Sequence, residues 1–376
     1  MRRRSQFSLL WAIWNLFQPK ASRSRGRRRG DQIWLFLLFL GVVGYLVWDA
    51  YLRPIPPVYK ASGGLELYFA PEQGRAAKGR LIGLIGAAQN RIEVAALELE
   101  DREIGQALVQ AAARGVRVRM LNDSDYRRET HESLGVSSSS PARCETLQRI
   151  QVCYDSRPNA LMHHKFVVVD DLGVWTGSTN LTWNAFERNN ENSLWLPVPG
   201  LVQVYRAEFE ALFAGQENGL GRSARFQIGS TLGAVYFSPA GGQKARNAIL
   251  ELLGRAQREI WVAAYVLTDT RIVEALVKAH RRGVQVRVVI DARNLSNSRD
   301  ETLKQASIDV RKDGNPYTMH HKIIVVDGEW VITGSYNFTN SGFGRNNENL
   351  LILRDSTLAQ RYKREVEAVW RAGTRL

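Results

Sequence analysis

The chain has 376 residues, 44% of them hydrophobic and 23% charged, with a formal net charge of +14. This composition excludes a disordered, collagen-like or disulfide-scaffold protein, and the length allows two domains of ordinary size. The charge is uneven: residues 1–30 hold nine basic side chains and no acid, so the other 346 residues carry only about +5. The high pI is therefore weak support for nucleic-acid binding by the folded part.

Residues 1–30 read as a basic cytosolic tail. Phe7 to Phe17 is apolar but too short to span a bilayer, and suits a membrane-surface segment or a loose tail equally. Arg3-Arg4 matches a twin-arginine export signal weakly, and the Arg- and Ser-rich start also resembles an organelle transit peptide. Ile33 to Trp48, IWLFLLFLGVVGYLVW, is sixteen residues long, roughly 24 Å as a helix against a hydrocarbon core of about 30 Å. A buried core helix and a cleaved signal peptide are its rivals. The uninterrupted hydrophobicity, the basic flank and the poor cleavage sequence at Arg53-Pro54 favour an uncleaved anchor over 31–52. The positive-inside rule then leaves the arginines in the cytosol and everything beyond Leu52 across the membrane. Residues 53–63 read as a stiff spacer.

From residue 64 onward the chain is a duplication, 64–222 and 223–376. AQNRIEVAALELEDREIGQALVQAAARGVRVRMLND (88–123) parallels AQREIWVAAYVLTDTRIVEALVKAHRRGVQVRVVID (256–291) at an offset of 168. Beyond residue 162 the offset is 157, so an eleven-residue insertion falls in the first half, between Ser124 and Cys144. Each half alternates strand and helix. IEVAAL is a short buried strand; REIGQALVQAAARG is helical, with apolar Ile104, Ala107, Leu108 and Ala111 on one stripe and Gly115 as a stop. VRVRML, KFVVVD, GVWTGS and SLWL follow as strands, and a closing amphipathic helix holds Phe209 and Phe213. The fold class expected is α/β: two similar sandwich halves, sheet inside and helices outside, about a pseudo-twofold axis.

Cys144 and Cys153 are the only cysteines. ETLQRI reads as a short helix between them and Val152 to Tyr154 as a strand, a path that returns one cysteine to the other and favours a disulfide. They lack metal-site spacing, and no metal or cofactor is expected.

The chemistry lies in a string that occurs twice, MHHKFVVVDDLGVWTGSTN (162–180) and MHHKIIVVDGEWVITGSYN (319–337). Alternation puts His163 and Lys165 on one face of their strand, and His320 and Lys322 on one face of theirs. Lys, Ser and Asn neutralise and hydrogen-bond phosphate oxygens, and two such sets surround one phosphate. Glu191 and Glu348 each lie 28 residues beyond the histidine of their own half, in Asn-Asn-Glu-Asn. A carboxylate there fixes an imidazole tautomer. His164 and His321 point to the opposite face as packing residues. Arg188 and Arg345 read as solvated arginines or phosphate contacts. Trp183, Phe186, Phe338 and Phe343 read as core, or as a rim to the site.

This pattern, His-x-Lys, Asp170, Gly177-Ser178-x-Asn180, repeated at His320, Lys322, Asp327, Gly334, Ser335 and Asn337, resembles that of the phospholipase D superfamily. The resemblance covers 64–374. It implies a phosphohistidine intermediate, with His163 as nucleophile and His320 as leaving-group acid, and the exchange of these roles stays open. It places Asp170 and Asp327 in the motif with the catalytic residues, as braces, and makes Lys165, Ser178, Asn180, Lys322, Ser335 and Asn337 phosphate ligands. Monomer alone then completes one site.

Two substrates compete. The Gly-Ser-x-Asn-x-Thr and Arg-Asn-Asn-Glu-Asn sequences look like the nuclease branch, and nucleic acid is favoured. The anchor favours the alternative, a phospholipase D or cardiolipin-synthase-like phosphatidyltransferase acting on phospholipid. A non-catalytic binding protein is the remote third. Asn180-Leu-Thr and Asn337-Phe-Thr are glycosylation patterns within the phosphate site. They favour a bacterial inner-membrane anchor facing the periplasm or cell exterior over an organelle membrane.

Overall fold

A computed structural model describes residues 58–61, 63–137 and 141–376, with scattered helical residues between 34 and 42. Residues Pro56–Leu376 form one compact unit. The basic tail and most of the anchor expected over 31–52 lie outside the described residues. Among the described residues, no helix is long and apolar enough to cross a membrane.

The first half runs β1 (Val58–Ala61), β2 (Glu66–Ala70), α1 (Gly74–Ala87), β3 (Arg91–Ala96), α2 (Arg102–Ala113), β4 (Arg117–Asp123), α3 (Arg127–Ser133), β5 (Cys144–Leu147), β6 (Ile150–Asp155), β7 (Lys165–Val169), β8 (Gly173–Gly177), α4 (Trp183–Glu187), β9 (Glu191–Leu196) and α5 (Pro199–Phe213). The second runs β10 (Ala224–Ile228), β11 (Thr231–Ser238), α6 (Gly242–Arg255), β12 (Glu259–Ala264), α7 (Thr270–Arg281), β13 (Gln285–Ile290), α8 (Asp300–Gln305), β14 (Asp309–Lys312), β15 (Lys322–Val326), β16 (Trp330–Gly334), α9 (Asn340–Gly344), β17 (Glu348–Arg354), α10 (Ser356–Ala372) and β18 (Thr374–Arg375). The order β2-β9-β8-β7-β3-β4-β6 in one sheet matches β11-β17-β16-β15-β12-β13-β14 in the other. The duplication read in the sequence is thus a duplication of topology.

Local sequence explains the elements. Asp101 caps α2 by accepting from the backbone N–H groups of Glu103 and Ile104, and Asp269 caps α7 in the same way. Gly115 ends the α2 turn at a φ of 96°. β7 and β15 are buried at every position, because helices cover both faces of each sheet and alternation has no solvent side to serve. α1 and α2 pack on the outer face of the first sheet, α6 and α7 on that of the second. α5 and α10 lie between the inner faces, where Phe166, Tyr205, Phe209, Phe237, Leu351 and Tyr362 share one core. One helix of each half is therefore central, which corrects the expectation of helices only outside.

Two further expectations change. Val58–Ala61, within the spacer expected over 53–63, forms β1 and pairs in parallel with β10 of the second half. Four residues after a Pro-rich stretch are too short to show a period. ETLQRI is no helix: β5 and β6 form a hairpin whose turn residues, Gln148 and Arg149, have φ of 48° and 67°, the left-handed pair a two-residue hairpin needs. Cys144 lies directly opposite Cys153, and their sulfurs are bonded. The residues that follow the insertion form an edge strand. In the second half, β18 covers the matching edge.

Candidate active site

Each histidine is held by the half to which it does not belong. The His163 N–H donates to the Asn347 carbonyl at 3.0 Å, and the His320 N–H to the Asn190 carbonyl at 3.0 Å. The side chains cross likewise: His163 Nδ1 is 2.7 Å from Glu348 Oε2, and His320 Nδ1 is 2.7 Å from Glu191 Oε1. Reciprocal contacts of this kind are what a twofold arrangement produces. A carboxylate on Nδ1 keeps the proton there and leaves Nε2 with its lone pair for chemistry.

Lys165 and Lys322 stand two residues along, as alternation requires. Lys165 Nζ donates to the His163 carbonyl at 3.0 Å and Lys322 Nζ to the His320 carbonyl at 2.6 Å. All these groups are buried. Burial lowers Lys165 to about 8 against the pull of Glu348, Glu191 and Glu98. It lowers Lys322 well below the usual lysine range, and pushes Glu191 up to about 8. Burial also lowers His163, and burial with the Lys322 and Lys165 charges lowers His320 strongly. Both imidazoles are neutral at rest. An entering phosphodiester anion brings negative charge beside both imidazoles and so favours a proton on one of them. Lys165 is charged only below about pH 8, so kcat/KM is expected to fall above that pH. A profile flat to pH 10 would contradict this reading of the lysine.

The motif glycines bring the strands together. A Cβ on Gly177 would lie 2.1 Å from the Asn192 carbonyl oxygen, and one on Gly334 2.3 Å from that of Asn349. Ser178 Oγ donates to Glu191 Oε2 at 2.5 Å, while Ser335 Oγ accepts from the Asn349 N–H at 3.0 Å. Asn180 and Asn337 follow at the strand ends, and the Oδ1 atom of each is buried without a partner.

Asp170 and Asp327 depart from the catalytic set. Asp170 accepts from the backbone N–H groups of Gln89, Asn90 and Arg91, each at 2.8 Å, and Asp327 from those of Gln257, Arg258 and Glu259. They sit at the end of β7 and β15 remote from the histidines and tie each to the turn before β3 or β12. These contacts are those of a brace.

Of the remaining residues, His164 packs at Asn349 and His321 binds Glu365. Phe186, Phe338 and Phe343 are core. Trp183 is exposed, with Arg188 stacked between it and Tyr317. Arg345 is exposed and binds Ser341. Two residues escaped the sequence reading. Glu98 Oε1 accepts from Asn180 Nδ2 at 2.8 Å, and burial pushes Glu98 up to about 7. The Tyr265 ring meets that of His320 edge-on, centroids 4.6 Å apart. The signal was present: ALELED against AYVLTD breaks the repeat at these places.

The family described as "Cardiolipin synthase, PLD-like domain" matches residues 81–213 and 249–370. Phospholipase D of Rickettsia prowazekii is 39% identical over 135 residues, 35% of this chain and 64% of that protein. Mitochondrial cardiolipin hydrolase of Xenopus laevis is 38% identical over 124 residues, 32% of this chain and 59% of that protein. The chain thus spans less than two thirds of either relative. The solved phosphatidylserine synthase of Haemophilus influenzae shares the fold, with a TM-score of 0.64 at 13% identity, over 87% of this chain and 91% of that one. With the family matched in both halves and the His-x-Lys motifs facing each other across them, the chain belongs to the phospholipase D superfamily.

Proposed function

We propose that the protein hydrolyses phosphodiester bonds through a phosphohistidine intermediate, with phospholipid as its substrate. The observation that carries the reaction is the pair of crossed His–Glu contacts beside two buried lysines. His163 Nε2 attacks phosphorus, the bond to the leaving oxygen breaks, and His320 gives that oxygen its proton. Water then attacks phosphorus and passes a proton to His320, and the N–P bond breaks. Phospholipid is preferred because the relatives bear lipid-hydrolase names and because a carboxylate, Glu98, stands beside the phosphate ligands, where a polyanion meets repulsion. Nucleic acid, favoured by the motif sequences, is the second reading.

One experiment separates them. Purified residues 53–376 are given cardiolipin or phosphatidylglycerol vesicles, single-stranded DNA and RNA, with and without excess EDTA. Lipid turnover is expected to exceed nucleic-acid turnover, with EDTA changing the rate by no more than about twofold, since two lysines supply the charge a metal ion would supply. Cleavage of DNA alone would replace the lipid reading. A large loss restored by magnesium would overturn the mechanism.

The placement proposed is a single N-terminal anchor over 31–52, N-terminus cytosolic, with the catalytic unit in the periplasm or outside the cell. The basic tail supports it. So does the Cys144–Cys153 bond, which persists only in an oxidising compartment. Mass spectrometry of non-reduced, membrane-derived protein is expected to find the two cysteines joined. Reduction should cost about 2–3 kcal/mol of stability. Two readily alkylated thiols would count against both bond and placement.

A further inference from the structure

The two half-sites obey the same register but differ in what they present. Ala96 of β3 pairs with Lys165 and Ala264 of β12 with Lys322. One residue on, the Leu97 N–H donates to the His164 carbonyl at 3.1 Å and the Tyr265 N–H to the His321 carbonyl at 2.9 Å. The next position therefore lies beside the motif histidine in each half. It is Glu98 in the first and Val266 in the second.

Consequences follow for the asparagines. Asn180 gives an amide hydrogen to Glu98, and its Oδ1 stays without a partner. Beside Asn337 stands the apolar Val266, which neither accepts nor donates. Glu98 is half-buried and near enough to Lys165 for the ammonium to oppose the effect of burial on its carboxyl. On the far side, Tyr265 rests against His320, with Lys322 Nζ 4.9 Å from its ring centre. Each wall has an open asparagine oxygen, at Asn180 and at Asn337; beside the first stands a carboxylate acceptor, Glu98, and beside the second an aromatic and apolar surface, Tyr265 and Val266.

We infer that Glu98, with Asn180 Oδ1, is a specificity-determining pair that takes a hydroxyl- or ammonium-bearing group attached beside the scissile phosphate, while the Tyr265–Val266 wall takes the apolar part of the same substrate. Acceptors aligned on one side reward a donor and leave a donor-free group with desolvated, unpaired oxygens. A second phosphate on that side would meet the carboxylate. The inference rests on the lipid reading proposed above.

The test compares phosphatidylglycerol with phosphatidylpropanol, which has the same three-carbon headgroup without its two hydroxyls, in otherwise identical vesicles. The readout is the ratio of their kcat/KM values, so a uniform loss of activity or of folded protein cancels. The native protein is expected to prefer phosphatidylglycerol by about tenfold or more. Glu98→Val, which copies the second half, should bring the ratio near one; Glu98→Gln, which keeps an acceptor oxygen, should retain part of it. A ratio near one in the native protein overturns the inference, as does an unchanged ratio in Glu98→Val whatever the absolute rates. If the native protein cleaves DNA and neither lipid, the lipid reading has failed and the inference with it. That failure shows in the native protein alone, before any variant is made.

Discussion

His163→Ala and His320→Ala are each expected to lower turnover by about a thousandfold or more, since one removes the nucleophile and the other the proton donor. Both side chains are nearly buried, so circular dichroism should first show each variant folded. The pair is distinguished by what accumulates. With His320→Asn the leaving group departs slowly and no base activates water, so a phosphoryl adduct should collect on His163. His163→Asn should collect none. Acid-labile, base-stable label mapped to the peptide bearing His163 is the expected result. Label on His320 would exchange the two roles, and no label with an undiminished rate in either alanine variant would remove the covalent mechanism altogether.

Residues 53–222 expressed alone are expected to be inactive as a monomer, and the loss should be complete. The reason is stronger than the count of motifs. His163 takes its carboxylate from Glu348 and its backbone acceptor from Asn347, both in the missing half. The inner face of the half, with Phe166, Tyr205 and Phe209, would also lose its cover. Two copies can replace what is lost, because the contacts are reciprocal and Glu191 of one copy can serve His163 of the other. Activity should therefore rise with the square of concentration while the dimer is dilute. A rate linear in concentration, from a species that sediments as a monomer, would show that one half suffices.

Much of this site was legible because duplication repeats every fixed residue: His163 and His320, or Lys165 and Lys322, stand out from the Val and Ile around them only when both copies are compared. The same symmetry hid the crossing. Glu191 is as far from His163 in sequence as Glu348 is from His320, and nothing in that spacing tells a carboxylate which half to serve. Glu98 was overlooked for the opposite reason: a search for what repeats passes over the position that does not. Asp170 and Asp327 illustrate a third limit. Their fixed spacing reflects the length of β7 and β15, and a brace at one strand end keeps as strict a register as a catalytic group at the other. The hairpin was misread because Gln148 and Arg149 carry no glycine or asparagine to announce a left-handed turn.

The pairing of β1 with β10 bears on how the protein is made. Val58 meets its partner Arg225 only 167 positions later in the chain. At about 5–20 residues per second, a ribosome needs roughly 8–30 s to deliver it. Throughout that interval the first half can complete its own sheet, while β1 and the face of α5 have nothing to pair with. An open strand and an uncovered apolar surface on an unfinished chain are what holding chaperones bind. Lys60 within β1 is a safeguard against such pairing. Yield should therefore respond to translation speed and chaperone supply more than the stability of the finished fold would suggest, and slowing synthesis between residues 61 and 225 should lengthen the interval of greatest risk.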